Sequence, residues 1–260
     1  MKIALVSLNQ AWEDKDLNWK KCEKYIDKAS QANVELLIFP EMTLTGFSLN
    51  IEKNSEDRNC SKTIARFKQK AKESNVAIIF GMLTKQGDFF YNKSFFISSN
   101  GSIIGDYAKI HTFSFAGEDE CIDSGDDLVV VTYKNTNIGM SICYDLRFPE
   151  LFSALGEKSD LIINIANWPK KRHAHWVALL KARAIENQIF ILGVNRIGVD
   201  GNELEYMESS CIYNANGGLL HPKSLDNMHI YKLDKKWQED YRNAFNTVND
   251  RQQKLYKRNV

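Results

Sequence analysis

Three residues whose side chains can combine in nucleophilic catalysis each follow a strand-like stretch of the sequence. Glu41 comes directly after ELLIFP, Lys109 after SIIGDYA, and Cys143 after IGMSI. Short apolar runs of this kind are typical of buried strands. A residue at the end of a strand is held by a rigid element while it faces a cleft, so this position is typical of active-site residues.

The three residue types suit catalysis by a thiol. A free cysteine, with a pKa of about 8.5, is only a few per cent thiolate at pH 7 and needs a nearby base or cation. Glu41 would supply the base, and Lys109 a fixed positive charge beside a developing oxyanion. Each residue alone has a commoner interpretation: a surface or capping glutamate, a solvent-facing lysine, and a buried core cysteine.

The cysteine pattern does not predict disulfides or a metal site. The five cysteines are odd in number and widely spaced, and no C-x-x-C pair occurs. This pattern favours free thiols in a reducing compartment. His173 and His175 lie two residues apart near the start of a predicted helix, so they do not share a face. The remaining cysteines are interpreted as core residues: Cys22, Cys60, Cys121 and Cys211.

Strand-like runs alternate with helical patterns and with hairpin signals along the chain. The mixture predicts an α/β (α+β) protein in which two sheets pack together with helices outside. We predict one domain over residues 1–260, with 250–260 as a polar tail or arm. Strands are predicted at 2–8, 35–39, 76–82, 90–98, 102–107, 127–133, 137–143, 160–165, 189–195, 209–213, 218–221 and 229–233, and helices at 17–32, 57–74, 146–155 and 172–188.

Three sequence motifs occur in an order that resembles the Glu–Lys–Cys triad of the nitrilase superfamily of carbon–nitrogen hydrolases. They are FPEMTLTGF, YAKIHTF and SICYDLRFPEL. The spacings of 68 residues from Glu41 to Lys109 and 34 from Lys109 to Cys143 also suit that family. The resemblance extends to ANWP and KARAIENQ further along the chain, and it covers nearly the whole sequence.

The resemblance implies a four-layer αββα sandwich and a division of roles. Glu41 would take the thiol proton, and Cys143 would attack the carbonyl carbon. Lys109 and the backbone N–H of Tyr144 would stabilise the oxyanion. A second glutamate after the lysine is also implied, with Glu118 as the best match and Glu120 as the alternative. No metal and no organic cofactor are implied.

Within the superfamily, the sequence looks similar to the omega-amidase branch, which acts on mono-amides of 2-oxo dicarboxylic acids such as 2-oxoglutaramate and 2-oxosuccinamate. Such a substrate carries a carboxylate, so the pocket should offer a cation. Arginine suits a carboxylate best because it binds it through two parallel hydrogen bonds. The basic candidates are Lys170, Lys171, Arg172 and Arg196. We assign Arg172, Tyr144 and Trp168 to substrate binding, although Trp168 could equally lie at the edge of the core.

Other residues with notable chemistry have structural interpretations. Asp145 and Arg147 are expected to hold the turn after Cys143. Arg183 and Glu186, three apart on one helix face, are expected to pair and pack beneath the site. An apolar stripe of Trp237, Tyr241 and Phe245 is either a core face or a subunit contact, and core is the default expectation.

The overall charge bounds the possible partners. Lys plus Arg number 34 and Asp plus Glu 33, a formal net charge of +1, so no nucleic-acid partner is expected. No window approaches 18 apolar residues, so we expect no membrane span and a cytoplasmic enzyme with a small-molecule amide substrate.

The resemblance implies a homodimer or higher homo-oligomer. The alternatives are another amidase, such as one acting on deaminated glutathione, an N-carbamoyl hydrolase, or a non-enzymatic binding module.

Overall fold

Two large β-sheets with helices on their outer faces make up the fold, together with a small two-stranded sheet. The computed structural model describes residues 1–252 and Leu255. The first half contains β1 (Lys2–Val6), α1 (Lys15–Gln31), β2 (Leu36–Ile38), α2 (Ile51–Asn54), β3 (Glu56–Asp57), α3 (Lys62–Ser74), β4 (Ala77–Gln86), β5 (Phe89–Ile97) and β6 (Ile103–Ala108). The second half contains β7 (Val130–Tyr133), β8 (Thr136–Ile142), α4 (Pro149–Gly156), β9 (Leu161–Ala166), α5 (His173–Asn187), β10 (Phe190–Asn195), β11 (Gly198–Val199), β12 (Glu205–Tyr206), β13 (Cys211–Tyr213), β14 (Lys223–Leu225), β15 (Met228–Lys232) and α6 (Lys235–Ala244).

The first sheet has the strand order β14-β15-β1-β2-β4-β5-β6, with β3 paired to β4, and the second has the order β13-β10-β9-β8-β7. Parallel pairs join β1, β2 and β4 in one sheet and β8, β9 and β10 in the other. Antiparallel strands complete each sheet. The central strands β2, β9 and β10 are buried along their whole length, as expected for parallel strands that are covered on both faces.

Alternation of side chains along β1 shows how the layers stack. Ile3 and Leu5 belong to an apolar cluster that unites residues of both sheets, so they point between the sheets. Ala4 and Val6 instead join residues of α1 and α3 on the outer face of the first sheet. A third cluster packs α4 and α5 against the outer face of the second sheet. The arrangement is helix, sheet, sheet, helix, which confirms the predicted αββα sandwich.

Most predicted elements occur, but two local predictions are wrong. The helix predicted at 57–74 begins only at Lys62, because Glu56 and Asp57 pair with β4 and the Ser61 side chain caps the helix by accepting from the Ile64 N–H at 3.0 Å. The strand predicted at 218–221 is absent among the described residues: Leu219 forms an isolated bridge, and the strand of this region lies at Lys223–Leu225.

The apolar stripe on α6 is not a core face. Trp237 is 39% exposed and Phe245 is 60% exposed. The residue that α6 buries is Gln238, which accepts a hydrogen bond from the Phe190 N–H at 2.8 Å and donates to the Asp160 carbonyl at 2.8 Å. The helix is therefore attached to the second sheet by polar contacts, and the default prediction of a core stripe is wrong.

The predicted tail at 250–260 lies mostly outside the described residues, which exclude 253, 254 and 256–260. Within the described part of this segment, Arg251 donates to the Ser153 hydroxyl at 2.8 Å and to the Glu186 carbonyl at 2.6 Å. The division into one domain stays a prediction. Across the described part of the chain, no helix is both long and apolar enough to cross a membrane.

Candidate active site

The ends of three strands bring Glu41, Lys109 and Cys143 into one site. Glu41 lies three residues past β2, Lys109 directly after β6, and Cys143 directly after β8. The Lys109 Nζ lies 3.2 Å from the Glu41 Oε1, and both side chains are almost fully buried. Cys143 is partly exposed and interacts electrostatically with both. The sandwich thus assembles residues that are far apart in the sequence.

Both carboxylate oxygens of Glu41 accept hydrogen bonds. Oε1 accepts from the Asn92 side-chain amide at 2.8 Å, in addition to Lys109. Oε2 accepts from the Asn167 backbone N–H at 2.8 Å. The Asn167 side chain also donates to the Glu41 backbone carbonyl at 2.7 Å. Glu41 is therefore held at its backbone and at both oxygens.

Glu118, rather than Glu120, is the second glutamate at the site. Its Oε2 accepts from the Lys109 Nζ at 2.7 Å and from the Phe113 backbone N–H at 2.6 Å. Its Oε1 accepts from the Asn92 side chain at 2.9 Å. Glu118 is completely buried, whereas Glu120 is exposed. Lys109 consequently lies between two carboxylates.

Cys143 occupies a strained turn at the end of β8. Its φ is +46°, in the left-handed region, which costs a non-glycine residue roughly 1–3 kcal/mol. Asp145 holds this turn by accepting from the Ile142 N–H at 2.9 Å, and it accepts from the Tyr107 hydroxyl at 2.7 Å and from the His111 N–H at 3.0 Å. The turn carrying the thiol is thereby tied to the segment carrying Lys109.

Helix α5 supports the same turn from below. Arg183 is buried and donates two hydrogen bonds to the Leu146 carbonyl, at 2.9 and 3.2 Å. It also pairs with Glu186 at 3.1 Å. The supporting positions predicted for Asp145, Arg183 and Glu186 are confirmed. Arg147 differs, because its guanidinium faces the pocket over Cys143.

The pocket over Cys143 is lined by cationic and aromatic side chains. Arg147 lies over the rings of Tyr144 and Trp168, at 5.8 and 4.8 Å from their centroids. Arg172 lies over the Phe113 ring at 5.3 Å, and its backbone carbonyl accepts from the Trp168 indole N–H at 2.8 Å. None of the described lining residues is acidic: Phe113, Cys143, Tyr144, Arg147, Asn167, Trp168, Pro169 and Arg172.

The other basic candidates lie elsewhere. Lys170 pairs with Glu205 at 2.7 Å, and Lys171 lines a separate open groove with it. The Arg196 side chain is fully buried, donates to the Gln10 carbonyl at 3.0 Å, and stacks over Tyr206. Only Arg172 of the four predicted cations lines the Cys143 pocket. Trp168 lines the pocket and also belongs to the core cluster around α5, so the substrate-binding and core-edge interpretations both apply to it.

Burial and neighbouring charges set the protonation states of the site. Burial, and then the Glu41 carboxylate, raise the pKa of the Cys143 thiol well above its usual value, and Lys109 offsets only part of this. Burial disfavours the Lys109 ammonium, but Glu118 and Glu41 outweigh burial and raise the pKa of Lys109. Near neutral pH the resting site therefore holds a neutral thiol and a charged ammonium.

Three site residues did not emerge from the sequence. Asn92 lies inside an aromatic strand, where an asparagine carries no local signal. Asn167 follows β9 within the ANWP motif, and its carbonyl lies 3.9 Å from the Cys143 Sγ. Arg147 was predicted only to hold the turn after Cys143, whereas the structure places it in the pocket lining. Among the residues that the structure describes, no group of three metal-ligating side chains occurs.

Comparison with known proteins identifies the family. The family model for the carbon–nitrogen hydrolases matches residues 2–239. The hydrolase in the agr operon of Staphylococcus aureus is 32% identical over 225 residues, covering 85% of both chains. The omega-amidase YafV of Escherichia coli K12 is 32% identical over 220 residues, covering 85% of this chain and 84% of that protein.

A solved structure agrees. XC1258 from Xanthomonas campestris, described as a CN-hydrolase superfamily protein with an arsenic adduct in its active site, has a TM-score of 0.89 and 27% identity over 96% of this chain and 97% of that one. This chain belongs to the carbon–nitrogen hydrolase family and has the nitrilase-superfamily fold. The predictions of that family and of a hydrolytic enzyme of the amidase type are confirmed.

Proposed function

We propose that the protein hydrolyses amides through a thioester on Cys143. Glu41 takes the thiol proton as the sulfur attacks the amide carbon, and the negative charge that forms on oxygen lies near Lys109 and the Tyr144 backbone N–H. The nitrogen leaves as ammonia after it accepts a proton from Glu41. Water then attacks the thioester, the carboxylic acid leaves, and the thiol is restored.

The resting protonation states support this order of events. The thiol is neutral because its pKa is raised, so a base has to act during the attack rather than before it. One residue borders both groups: the Asn167 N–H donates to Glu41 Oε2 at 2.8 Å, and its carbonyl lies 3.9 Å from the Cys143 Sγ. The peptide segment at Asn167 therefore contacts both the base and the nucleophile.

The substrate assignment rests on the two guanidiniums at the Cys143 pocket. Arg147 and Arg172 both line it, and no described lining residue is acidic. A substrate whose carboxylate lies several atoms from its amide would place the amide over Cys143 and the carboxylate against an arginine. We infer an omega-amidase acting on mono-amides of 2-oxo dicarboxylic acids, in line with the name of the Escherichia coli relative.

Ammonia release across a substrate panel tests the proposal. The panel comprises 2-oxoglutaramate, 2-oxosuccinamate, glutamine, an N-carbamoyl amino acid and a simple nitrile, with wild type, Cys143→Ala and Cys60→Ala. We expect the 2-oxo mono-amides to be preferred and Cys143→Ala to lose activity by about 10³-fold or more. Cys60→Ala should keep activity, because Cys60 is exposed and not the core residue that the sequence suggested. Activity in Cys143→Ala would overturn the mechanism. Preference for the carbamoyl compound would overturn the substrate assignment alone.

Two charge-removing variants test the carboxylate site. We expect Arg172→Gln to raise KM for 2-oxoglutaramate roughly 10- to 100-fold, because a charged hydrogen bond is worth about 1.5–3 kcal/mol. Lys171→Gln is the control, since Lys171 is exposed and lines a different groove. The KM for an uncharged amide should not change in either variant. An equal rise in KM for charged and uncharged amides would show that Arg172 does not bind the carboxylate.

We further propose a homodimer or higher homo-oligomer that works in the cytoplasm on small molecules, without a nucleic-acid or membrane partner. The exposed Trp237 on α6 and the exposed Phe245, which directly follows α6, supply apolar surface for a subunit contact. Analytical ultracentrifugation would give the oligomeric state, and a concentration-independent monomer would contradict this part of the proposal.

A further inference from the structure

The buried side chain of Asn92 touches both glutamates of the site. Asn92 lies on β5 and is 0% exposed. Its amide nitrogen donates to Glu41 Oε1 at 2.8 Å and to Glu118 Oε1 at 2.9 Å. Its backbone carbonyl accepts from the Lys109 backbone N–H at 2.9 Å. One residue therefore contacts the base, the second glutamate and the lysine.

The charges of the cluster explain why such a contact matters. Glu41 and Glu118 are both buried, and one ammonium, Lys109, lies between them. Two ionised carboxylates against one ammonium leave a net negative charge in a region without bulk water. Like charges at close range favour uptake of a proton by one carboxylate, unless hydrogen bonds stabilise both ionised forms. A protonated Glu41 could not accept the proton of Cys143.

The residue type at position 92 suits this task. An asparagine amide carries two N–H groups on one nitrogen, so it can donate to two acceptors at once without adding charge. Aspartate has the same shape but adds a third negative charge, and serine has a single hydrogen to donate. The Asn92 Oδ1 is buried and has no hydrogen-bond partner among the described residues, so the amide orientation follows from the two carboxylates.

We propose that Asn92 is a positioning residue that keeps Glu41 and Glu118 ionised together, so that Glu41 remains available as a base. The proposal rests on the hydrolytic function assigned to Cys143, but not on which amide is the substrate. Its contacts are to Glu41, Glu118 and the Lys109 backbone, and Cys143 is the remaining titratable group of the cluster.

Two substitutions separate an electrostatic role from a packing role. Asn92→Ala removes both hydrogen bonds and leaves a small void, whereas Asn92→Asp keeps the shape and adds charge. We expect kcat to fall about 10- to 100-fold in Asn92→Ala and further in Asn92→Asp, with KM little changed. The acid limb of the kcat/KM profile should move to higher pH in both. A packing role predicts the opposite ranking, with Asp tolerated better than Ala.

Asn54→Ala is the matched control. Asn54 is also buried, also donates to a glutamate, and also has an Oδ1 without a partner in the described part of the chain, but it touches Glu13 and Ser48 instead of the site. Its removal should lower stability without moving the acid limb. An unmoved acid limb in both Asn92 variants, or a larger loss in Ala than in Asp, would overturn the proposal.

A second readout keeps this test distinct from the substrate assignment. Iodoacetamide is a small amide reagent, and its reaction with Cys143 can be followed by peptide mass spectrometry whether or not the natural substrate is known. The acid limb of that labelling rate should move to higher pH in Asn92→Ala as well. If wild type hydrolyses no amide of the panel but labelling still shifts, the proposed substrate fails and the role of Asn92 stands.

Discussion

At the scale of single residues, the site combines a neutral thiol with a base that has to remain ionised. The pKa of the Cys143 thiol is raised by burial and by Glu41, and Lys109 only partly opposes this. The positive charge of Lys109 is stabilised by Glu118 and Glu41. The mechanism proposed for Cys143 therefore depends on proton transfer during attack, and it does not require a thiolate in the resting enzyme.

Replacement of Glu41 should separate thiol ionisation from catalysis. Glu41→Gln removes a negative charge that disfavours the thiolate, so the pKa of Cys143 should fall although amide hydrolysis is lost. Lys109→Met removes a charge that favours the thiolate, so the pKa should rise. The ultraviolet absorbance of the thiolate, taken as the difference from Cys143→Ala at each pH, measures both. An unchanged or higher Cys143 pKa in Glu41→Gln would contradict this account.

At the scale of elements, tight packing between β4 and the turn after β2 sets the position of Glu41. A Cβ placed on Gly81 would lie 2.7 Å from the Met42 backbone nitrogen and 3.0 Å from the Glu41 Cα. The same glycine exchanges hydrogen bonds with Thr43, through its carbonyl at 2.8 Å and its N–H at 3.1 Å. The close approach leaves no room for a side chain beneath the turn.

Substitution of Gly81 should therefore displace Glu41. We expect Gly81→Ala to lower kcat at least about 10-fold and to cost about 1–3 kcal/mol of stability through overpacking. Gly87→Ala is the control: Gly87 has a φ of +62°, and a Cβ added there would meet no heavy atom within 4 Å, so it should cost about 1–2 kcal/mol without changing kcat. Urea denaturation and ammonia release measure the two effects. Full activity in Gly81→Ala would show that the turn adjusts.

At the scale of the whole molecule, separate apolar clusters hold the four layers together. Phe67 of α3 stacks on Phe80 with ring centroids 3.9 Å apart and meets Trp19 edge-on at 5.0 Å. These contacts join the outer helices to the first sheet. The Phe67 contacts lie on the outer face of the first sheet, whereas the catalytic side chains lie at the strand ends.

Truncation of Phe67 should therefore act on stability alone. Phe67→Ala leaves a cavity at a fully buried position and should lower the free energy of unfolding by about 3–5 kcal/mol, while kcat below the unfolding transition stays near the wild-type value. Phe89→Ala, at a position 55% exposed, should change stability by less than about 0.5 kcal/mol. A large loss of kcat in folded Phe67→Ala would mean that the outer layer also positions the site.

Three motifs in order along the chain were enough to predict the family, and the resemblance to that family implied the four-layer arrangement. Local patterns predicted the strand ends at which Glu41, Lys109 and Cys143 lie. The strand ends are local features, because each depends on hydrophobic period, on turn residues or on a motif of a few positions. The pairing of Arg183 with Glu186 was also predictable, because a spacing of three residues places two side chains on one helix face.

Which groups from distant strands meet at the site became clear only from the packed structure. Asn92 donates to Glu41 across 51 positions of sequence, and the Asn167 N–H reaches the same carboxylate across 126. The burial of Glu118 instead of Glu120 likewise depends on the conformation of a turn that no local pattern specifies. The same holds for Arg147, whose side-chain direction places it in the pocket. Burial then sets the protonation of Cys143, because desolvation and neighbouring charge exist only once the layers have packed.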